Sequence, residues 1–200
     1  MITFMCEMCK KYEHMIAVTN RFLVEGDFLM QLEKVIRLHP HAVILREKDL
    51  EDEEYEALAK KAEKLCEEEG VLFFWHSRAG LARKNGGRNV HLSIPEFRKA
   101  VNRMGSGLSR DFQRISVSCH SPEDVKEAVN GGATQIILGT IFETDCKKGL
   151  KGKGVEFVRR ICAECPIPVY AIGGINEEHL IEVRKAGAAG GCMMSGFMKL

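Results

Sequence analysis

The chain has 200 residues, of which 45% are hydrophobic and 28% are charged, and its formal net charge is +1. This composition is that of a globular domain, and so small a net charge gives no reason to expect binding to nucleic acid or to an anionic membrane. No apolar run is long enough to cross a membrane, and the first 15 residues lack the apolar stretch of a secretion signal. We therefore expect a cytoplasmic protein.

Short apolar runs rich in β-branched residues alternate with longer amphipathic stretches along the whole chain. The predicted strands are 15–19, 42–46, 71–75, 89–92, 114–118, 135–139, 168–172 and 191–194. The predicted helices are 27–38, 51–69, 78–84, 95–103, 122–130, 154–164 and 177–186. Such an alternation is typical of βα units that build a parallel sheet.

Strands joined by crossover helices of one hand predict an α/β fold, a single (β/α)8 TIM barrel over residues 1–200 with an N-terminal arm at 1–14. An open doubly wound sheet would place a glycine-rich loop after the first strand, whose end instead reads Thr19-Asn20-Arg21. Only 196–200 follow the last strand and its turn, so the final helix is expected to be truncated. The arm or a second subunit could cover that gap, which makes a homodimer attractive.

Glycines at the ends of the last two predicted strands indicate a phosphate site. Gly173 and Gly174 follow the seventh strand, and the eighth strand runs into Met194, Ser195 and Gly196. Glycine lets backbone N–H groups approach an anion, and barrels of this class often bind phosphate with these two loops. The alternative is that the glycines serve only tight turns.

Polar side chains at the other strand ends are the remaining candidates for chemistry, because barrel active sites form at that edge. His120 follows the fifth strand and can take or give a proton near neutral pH, and His76 follows the third. Arg46 and Lys48 alternate at the end of the second strand, so both could point into one site. The alternatives are helix capping for His120 and plain surface charge for Arg46 and Lys48.

A long polar loop, 140–153, follows the sixth strand. Its Lys147 could meet an anionic group, and its Thr144 could hydrogen bond to a ligand. Long loops beside otherwise compact βα connections are often functional, so this loop is predicted to bind substrate. The alternative is a solvated surface loop.

The cysteines include two C-x-x-C pairs, Cys6 with Cys9 and Cys162 with Cys165. Together the four thiols could form a tetrahedral zinc site. The flanking glycines and turns of a zinc knuckle are missing, and a chain without a secretion signal is expected to keep reduced thiols. Whether these four residues bind a metal stays open at this point.

Four segments together resemble the thiamin phosphate synthase/TenI superfamily over almost the whole length of the chain. They are 43–49 (VILREKD), 116–121 (SVSCHS), 138–149 (LGTIFETDCKKG) and 171–175 (AIGGI). The stretch 142–149 is similar to the TenI branch, the thiazole tautomerases, in particular. The segment 171–175 is less specific, since it recurs in many phosphate-binding barrels.

The resemblance to the synthase branch implies joining of a pyrimidine diphosphate to a thiazole phosphate, with Mg²⁺ held by carboxylates. The family pattern Asn-Asp-Arg after the third strand reads His76-Ser77-Arg78 in this chain, and Gly-Gln-x-Asp after the fourth reads Ser93-Ile94-Pro95-Glu96. The glutamine expected on the second strand is Ile44. Only Glu96 remains as a metal ligand, which puts synthase activity in doubt.

The resemblance to the tautomerase branch implies a proton shift that aromatises a thiazole carboxylate phosphate, with no metal or other cofactor. His120 matches the acid/base histidine of that branch, and the resemblance adds Ser118, Cys146 and Lys147 to the substrate contacts. We therefore expect a metal-independent isomerase acting on a small phosphorylated thiazole. The alternatives are a divergent Mg²⁺-dependent thiamin phosphate synthase and a non-catalytic relative that only binds the phosphorylated ligand.

Overall fold

The computed structural model describes residues 11–105, 107–144 and 151–200. Within these ranges the eight strands form a closed parallel barrel in chain order, β1 to β8, so the predicted (β/α)8 fold is confirmed. The strands are β1 Met15–Val18, β2 Ala42–Leu45, β3 Leu72–His76, β4 Asn89–Ser93, β5 Arg114–Cys119, β6 Gln135–Gly139, β7 Val169–Ile172 and β8 Gly190–Met193. Each predicted strand is present, with ends displaced by one residue at most.

Helices lie between the strands and follow the last one. They are α1 Phe28–Ile36, α2 Asp52–Glu68, α3 Ala79–Lys84, α4 Ile94–Met104, α5 Gly107–Asp111, α6 Pro122–Asn130, α7 Val155–Glu164, α8 Glu177–Lys185 and α9 Ser195–Met198. A 3-10 helix, Arg21–Leu23, follows β1. The sequence did not predict this turn, α5 or α9, which are all short.

Contacts within the chain group it into two compact units, which we describe separately. The first comprises Met1–Phe74 and Met194–Leu200, and the second comprises Trp75–Met193. That residues 1–200 act as a single domain stays a prediction. No helix in the described ranges is long and apolar enough to cross a membrane.

In the first unit β1 and β2 pair in parallel, with Ile16 opposite Ala42. All four residues of each strand are buried, which fits strands covered on both faces. The Tyr55 hydroxyl donates to the Leu45 carbonyl at 2.7 Å and so ties α2 to the end of β2. The Gln31 side chain donates to the Phe197 carbonyl at 2.8 Å and ties α1 to α9.

In the second unit β4 to β8 pair in sequence order, and the registers run without a break from Asn89 opposite Arg114 to Ile172 opposite Cys192. The helix α6 begins as the sequence predicts, because Ser121 and Asp124 form a reciprocal capping box and Pro122 occupies the first turn. Parallel strands place all of their carboxyl ends at one edge. The polar residues that follow β3 to β7 therefore share that edge of the unit.

Candidate active site

His120 directly follows β5 and is held at three atoms. Its backbone N–H donates to Asp124 Oδ2 at 2.6 Å, and its carbonyl accepts from the Lys153 ammonium. Its ring atom Nδ1 lies 2.7 Å from the Gly139 carbonyl oxygen at the end of β6. A carbonyl can only accept, so Nδ1 carries the proton in this bond, and Nε2 of the neutral ring keeps its lone pair.

A surface cavity of about 460 Å³ opens beside His120. His120 and Pro122 line one part of it, and Lys153, Phe157 and Arg160 on the segment leading into and along α7 line another. The Lys153 ammonium and the Arg160 guanidinium both lie over the Phe157 ring, at 4.9 and 5.5 Å from its centroid. The described lining also contains the Glu156 carboxylate, so two cations and one anion face this cavity and its formal charge is positive.

Ser118 lies two residues before His120 on β5, and its hydroxyl is held by a buried histidine. Its Oγ is 2.8 Å from Nε2 of His91, and Ser116 Oγ is 2.9 Å from Nδ1 of the same ring. Both ring nitrogens of His91 are therefore engaged, which agrees with a structural role. The pattern of the sequence did not reveal that His91 supports Ser118, because the two residues are 27 positions apart.

His76 is buried rather than exposed at the rim, with 7% of its surface accessible. Its Nδ1 lies 2.7 Å from the hydroxyl of Ser77, which itself donates to Glu96 Oε2 at 3.1 Å. His76 ends β3, and its ring packs 5.5 Å from that of His91 on β4. The prediction that His76 contacts substrate is not tested by this arrangement, but a buried ring bonded to its neighbour has little surface to offer.

Glu96, the one carboxylate that the synthase pattern leaves, serves as a helix cap. Its Oε2 accepts from the backbone N–H of Ser93 at 3.0 Å and from the Ser93 hydroxyl at 2.7 Å, in addition to Ser77. These bonds form the capping box of α4. The oxygen is thus committed to donors within the chain.

Mg²⁺ requires several oxygen ligands in a near-octahedral arrangement. Among the residues that the structure describes, no group of three or more His, Cys, Asp or Glu side chains could hold a metal ion. Ser77 and Ile94 stand where the family has an acid and an amide, and Glu96 is occupied. Mg²⁺ is usually held by one or two carboxylates with water and substrate phosphates, and the one carboxylate of the family pattern left here is committed to Ser93 and Ser77. The family's ligands do not fit a magnesium site in this chain, so no step of the proposed chemistry is routed through one.

The turn after β7 has a backbone conformation that favours glycine, as either a phosphate site or a plain tight turn would. Gly173 has φ +102° and Gly174 has φ +63°, both in the region that favours glycine. A Cβ atom on Gly173 would lie 2.4 Å from Thr140 Cγ2, and one on Gly174 would lie 2.6 Å from the Glu143 carbonyl oxygen. Glycine is needed at both positions, and binding of phosphate there stays a prediction.

The predicted substrate loop after β6 is described only in part. Thr144 is half-buried at the end of the described segment, whereas Cys146 and Lys147 lie outside the described residues. Contact of these three residues with substrate stays a prediction.

In the first unit β2 ends at Leu45, so Arg46 and Lys48 lie beyond the strand, and Lys48 lies in a turn. The expected alternation of these two residues along one strand end therefore does not apply. Between them Glu47 is only 1% exposed, which the charged sequence around it concealed. The Glu47 carboxylate accepts from the Thr19 hydroxyl at 2.6 Å and from the Arg21 backbone N–H at 3.1 Å.

The second half of the predicted phosphate site lies at the start of α9. Met194 precedes that four-residue helix, Ser195 begins it and is exposed, and Gly196 follows. Participation of these residues in phosphate binding stays a prediction.

Of the cysteines proposed for zinc, Cys6 and Cys9 lie outside the described residues. Cys162 is half-buried on α7, where burial and the neighbouring Cys165 raise the pKa of its thiol to about 11. The Cys165 thiol lies 3.4 Å from the Ile167 carbonyl oxygen. Whether the four cysteines bind a metal stays open, because Cys6 and Cys9 lie outside the described residues.

The family follows from comparison with known proteins. A family model named TMP-TENI and described as "Thiamine monophosphate synthase" matches residues 15–197. The chain belongs to the thiamine monophosphate synthase/TenI family, as the sequence motifs predict.

Individual relatives bear the name of the synthase. A putative thiamine-phosphate synthase 2 of Aquifex aeolicus is 32% identical over 92% of this chain and 96% of that protein. The thiamine-phosphate synthase of Synechocystis is 34% identical, and the aligned part spans 82% of this chain but only 47% of that longer protein. A solved thiamine phosphate pyrophosphorylase of Pyrococcus furiosus superposes with a TM-score of 0.80, at 27% identity over 97% of this chain and 91% of that chain.

Proposed function

We propose that this chain is a thiazole tautomerase, in which His120 shifts a proton on a small phosphorylated thiazole. The observation that carries the proposal is the bond from Nδ1 of His120 to the Gly139 carbonyl. That bond fixes the tautomer, so that the lone pair on Nε2 is available as a general base. The similarity of 142–149 to the TenI branch supports the same conclusion.

The proton balance of this reaction is simple. Nε2 of His120 takes a proton from one carbon of the substrate, and the C–H bonding pair enters the conjugated system of the ring. The imidazolium then returns the proton at another carbon, and the product is the aromatic isomer of the same formula. No electron acceptor, metal or leaving group takes part, so one acid/base residue and anion-binding contacts are sufficient.

Contacts around His120 would hold the substrate during this step. The backbone N–H groups at Gly173 and Gly174 are proposed to donate to the phosphate, because turns with glycine in this conformation commonly present N–H groups to an anion. Ser118, supported by His91, is placed to donate or accept a hydrogen bond. The cations Lys153 and Arg160 outnumber the single carboxylate, Glu156, in the described lining of the cavity, which favours a negatively charged ligand.

Thiamin phosphate synthase is the second candidate, and the names of the relatives favour it over the tautomerase. That reaction expels pyrophosphate and depends on Mg²⁺ to neutralise the leaving group. The possible metal ligands of this chain argue against the synthase, because the Glu96 carboxylate already accepts hydrogen bonds from Ser93 and Ser77. We give more weight to this chemistry than to names, because relatives of this similarity can differ in reaction.

One pair of assays separates the candidates. The purified chain is incubated with the thiazole carboxylate phosphate in excess chelator, and separately with thiazole phosphate, pyrimidine diphosphate and Mg²⁺. Our proposal expects aromatisation in the first assay and no pyrophosphate release in the second. Pyrophosphate release alone would establish the synthase, and saturable phosphate-ligand binding without turnover in either assay would indicate the non-catalytic relative.

A further inference from the structure

His179 joins the turn after β7 to the helix that follows it. It occupies the first turn of α8, where its backbone N–H donates to the Oδ1 atom of the N-cap Asn176 at 2.8 Å. Its ring atom Nδ1 hydrogen bonds to the Gly174 carbonyl oxygen. Since a carbonyl only accepts, Nδ1 carries the proton and the histidine acts as a fixed donor.

The same ring stacks on the loop after β6. The centroids of the His179 and Phe142 rings are 3.7 Å apart, and the planes are inclined by 7°. The backbone N–H of Phe142 also donates to the Gly173 carbonyl at 3.0 Å. The two glycine carbonyls are thus held from different directions, one by a side chain and one by the neighbouring backbone.

Atoms of the loop after β6 pack closely against both glycines of the turn, Gly173 and Gly174. A Cβ atom on Gly174 would lie 2.8 Å from Phe142 Cβ, and one on Gly173 would lie 3.1 Å from the backbone nitrogen of Ile141. When both carbonyls are fixed, the orientation of the intervening peptide planes is fixed as well. The N–H groups of this turn are therefore preorganised before any ligand binds.

We propose that His179 and Phe142 are positioning residues that set the affinity of the Gly173–Gly174 turn for phosphate. The inference rests on the phosphate contact of the proposed function and leaves the proton transfer to His120. A turn that is already in its binding conformation loses less conformational entropy on binding, which strengthens binding without a new contact. Neither residue needs to touch the ligand.

The test compares substitutions that remove the contacts of His179 and Phe142 with the glycine turn and substitutions that retain them. His179→Ala removes both the donor and the stacked ring, whereas His179→Gln keeps an N–H for Gly174 and a planar group for Phe142. Phe142→Leu and Phe142→Tyr form a second matched pair. Glu178→Ala, on the exposed neighbour in the same helical turn, is the control for the helix itself.

Binding of inorganic phosphate and steady-state kinetics with the phosphorylated thiazole are measured for each variant. We expect about tenfold weaker phosphate binding and a similarly raised KM for His179→Ala and Phe142→Leu, with kcat within about twofold of the parent. The Gln, Tyr and Glu178→Ala variants should stay close to the parent. A purely structural role would not separate KM from kcat, nor would it be restored by the conservative variants.

The outcomes distinguish this inference from the proposed function. If the parent chain binds phosphate and His179→Ala binds it equally well, the positioning role of His179 is wrong and the tautomerase proposal still stands. If His179→Ala binds phosphate more weakly than the parent chain, and the parent chain does not isomerise the thiazole, the positioning role is supported and the tautomerase proposal is refuted. A parent chain that binds no phosphate at all would overturn the inference.

Discussion

The Nδ1 atom of His120 lies 2.7 Å from the carbonyl oxygen of Gly139, so the histidine after β5 is oriented by the end of β6. A ring held in this way cannot rotate without losing the bond, and its other nitrogen is the one that can exchange a proton with a ligand. The backbone of His120 is fixed as well, by Asp124 on one side and Lys153 on the other. The acid/base group is therefore supported by β6, α6 and the segment before α7.

Replacement of Asp124 by Ala should lower both stability and activity. The Asp124 carboxylate caps α6 and binds the backbone N–H groups of His120 and Ser121, so its loss should cost about 1 kcal/mol in unfolding free energy. It should also reduce kcat, because His120 loses a support. Urea unfolding and initial rates check this, with Asp124→Asn, which keeps an acceptor, as the control. Equal kcat in both variants would refute the positioning role.

Replacement of Gly173 by Ala should abolish phosphate binding. The added Cβ would meet Thr140 at 2.4 Å while φ stays at +102°, so the turn must change its conformation. Gly132→Ala is the matched control, because its φ is +88° but nothing lies within 4 Å of the new Cβ. Calorimetric titration with the phosphorylated ligand should detect binding only in the control. Undiminished binding by Gly173→Ala would remove this turn from the site.

The Cys119 thiol should resist alkylation in the folded protein. Burial, with a contribution from Asp124, raises its pKa from 9.0 to about 12, and the thiolate is the reactive form. The alkylation rate at pH 8 should therefore be on the order of 1,000-fold lower than in urea, as the thiolate fraction is, and should rise as the pH increases toward 12. Iodoacetamide labelling with peptide mass analysis measures this, with the half-buried Cys165 as the internal comparison. Labelling of Cys119 as fast as of Cys165 would contradict the burial.

Replacement of Glu47 by Ala should destabilise the first unit. The carboxylate is 1% exposed, and the Thr19 hydroxyl and the Arg21 backbone N–H both donate to it. Its removal leaves these donors without their acceptor, at an expected cost of about 3 kcal/mol in unfolding free energy. Glu47→Gln, which retains an acceptor oxygen, should lose less. Denaturant unfolding of the two variants is the measurement, and equal stability would show that the carboxylate contributes nothing.

The barrel could be predicted from the sequence because each strand is a short apolar run between turn residues. The helix α6 was predicted to the residue, since Ser121, Pro122 and the acids after them are local signals that act within one turn. Short elements escaped prediction because few residues carry their pattern, and β2 was extended over Arg46 because a charged residue can continue a strand at its end.

The site was less predictable because its polar contacts join residues far apart in the sequence. The burial of Glu47 depends on Thr19 and Arg21 from the preceding loop, and the support of Ser118 by His91 crosses from β4 to β5. The Phe142–His179 stack joins the loop after β6 to the first turn of α8 in the same way. A homodimer and the substrate contacts of Arg46 and Lys48 stay predictions.

The role of His120 as the acid/base group is tested most directly by one rate measurement. The rate at which the thiazole carboxylate phosphate becomes aromatic in excess chelator is compared between the parent chain and His120→Gln. We predict metal-independent turnover by the parent and a loss of at least about 100-fold in His120→Gln, with binding of the phosphorylated ligand retained. Undiminished turnover by His120→Gln, or turnover by the parent only when Mg²⁺ and a pyrimidine diphosphate are supplied, would contradict this prediction.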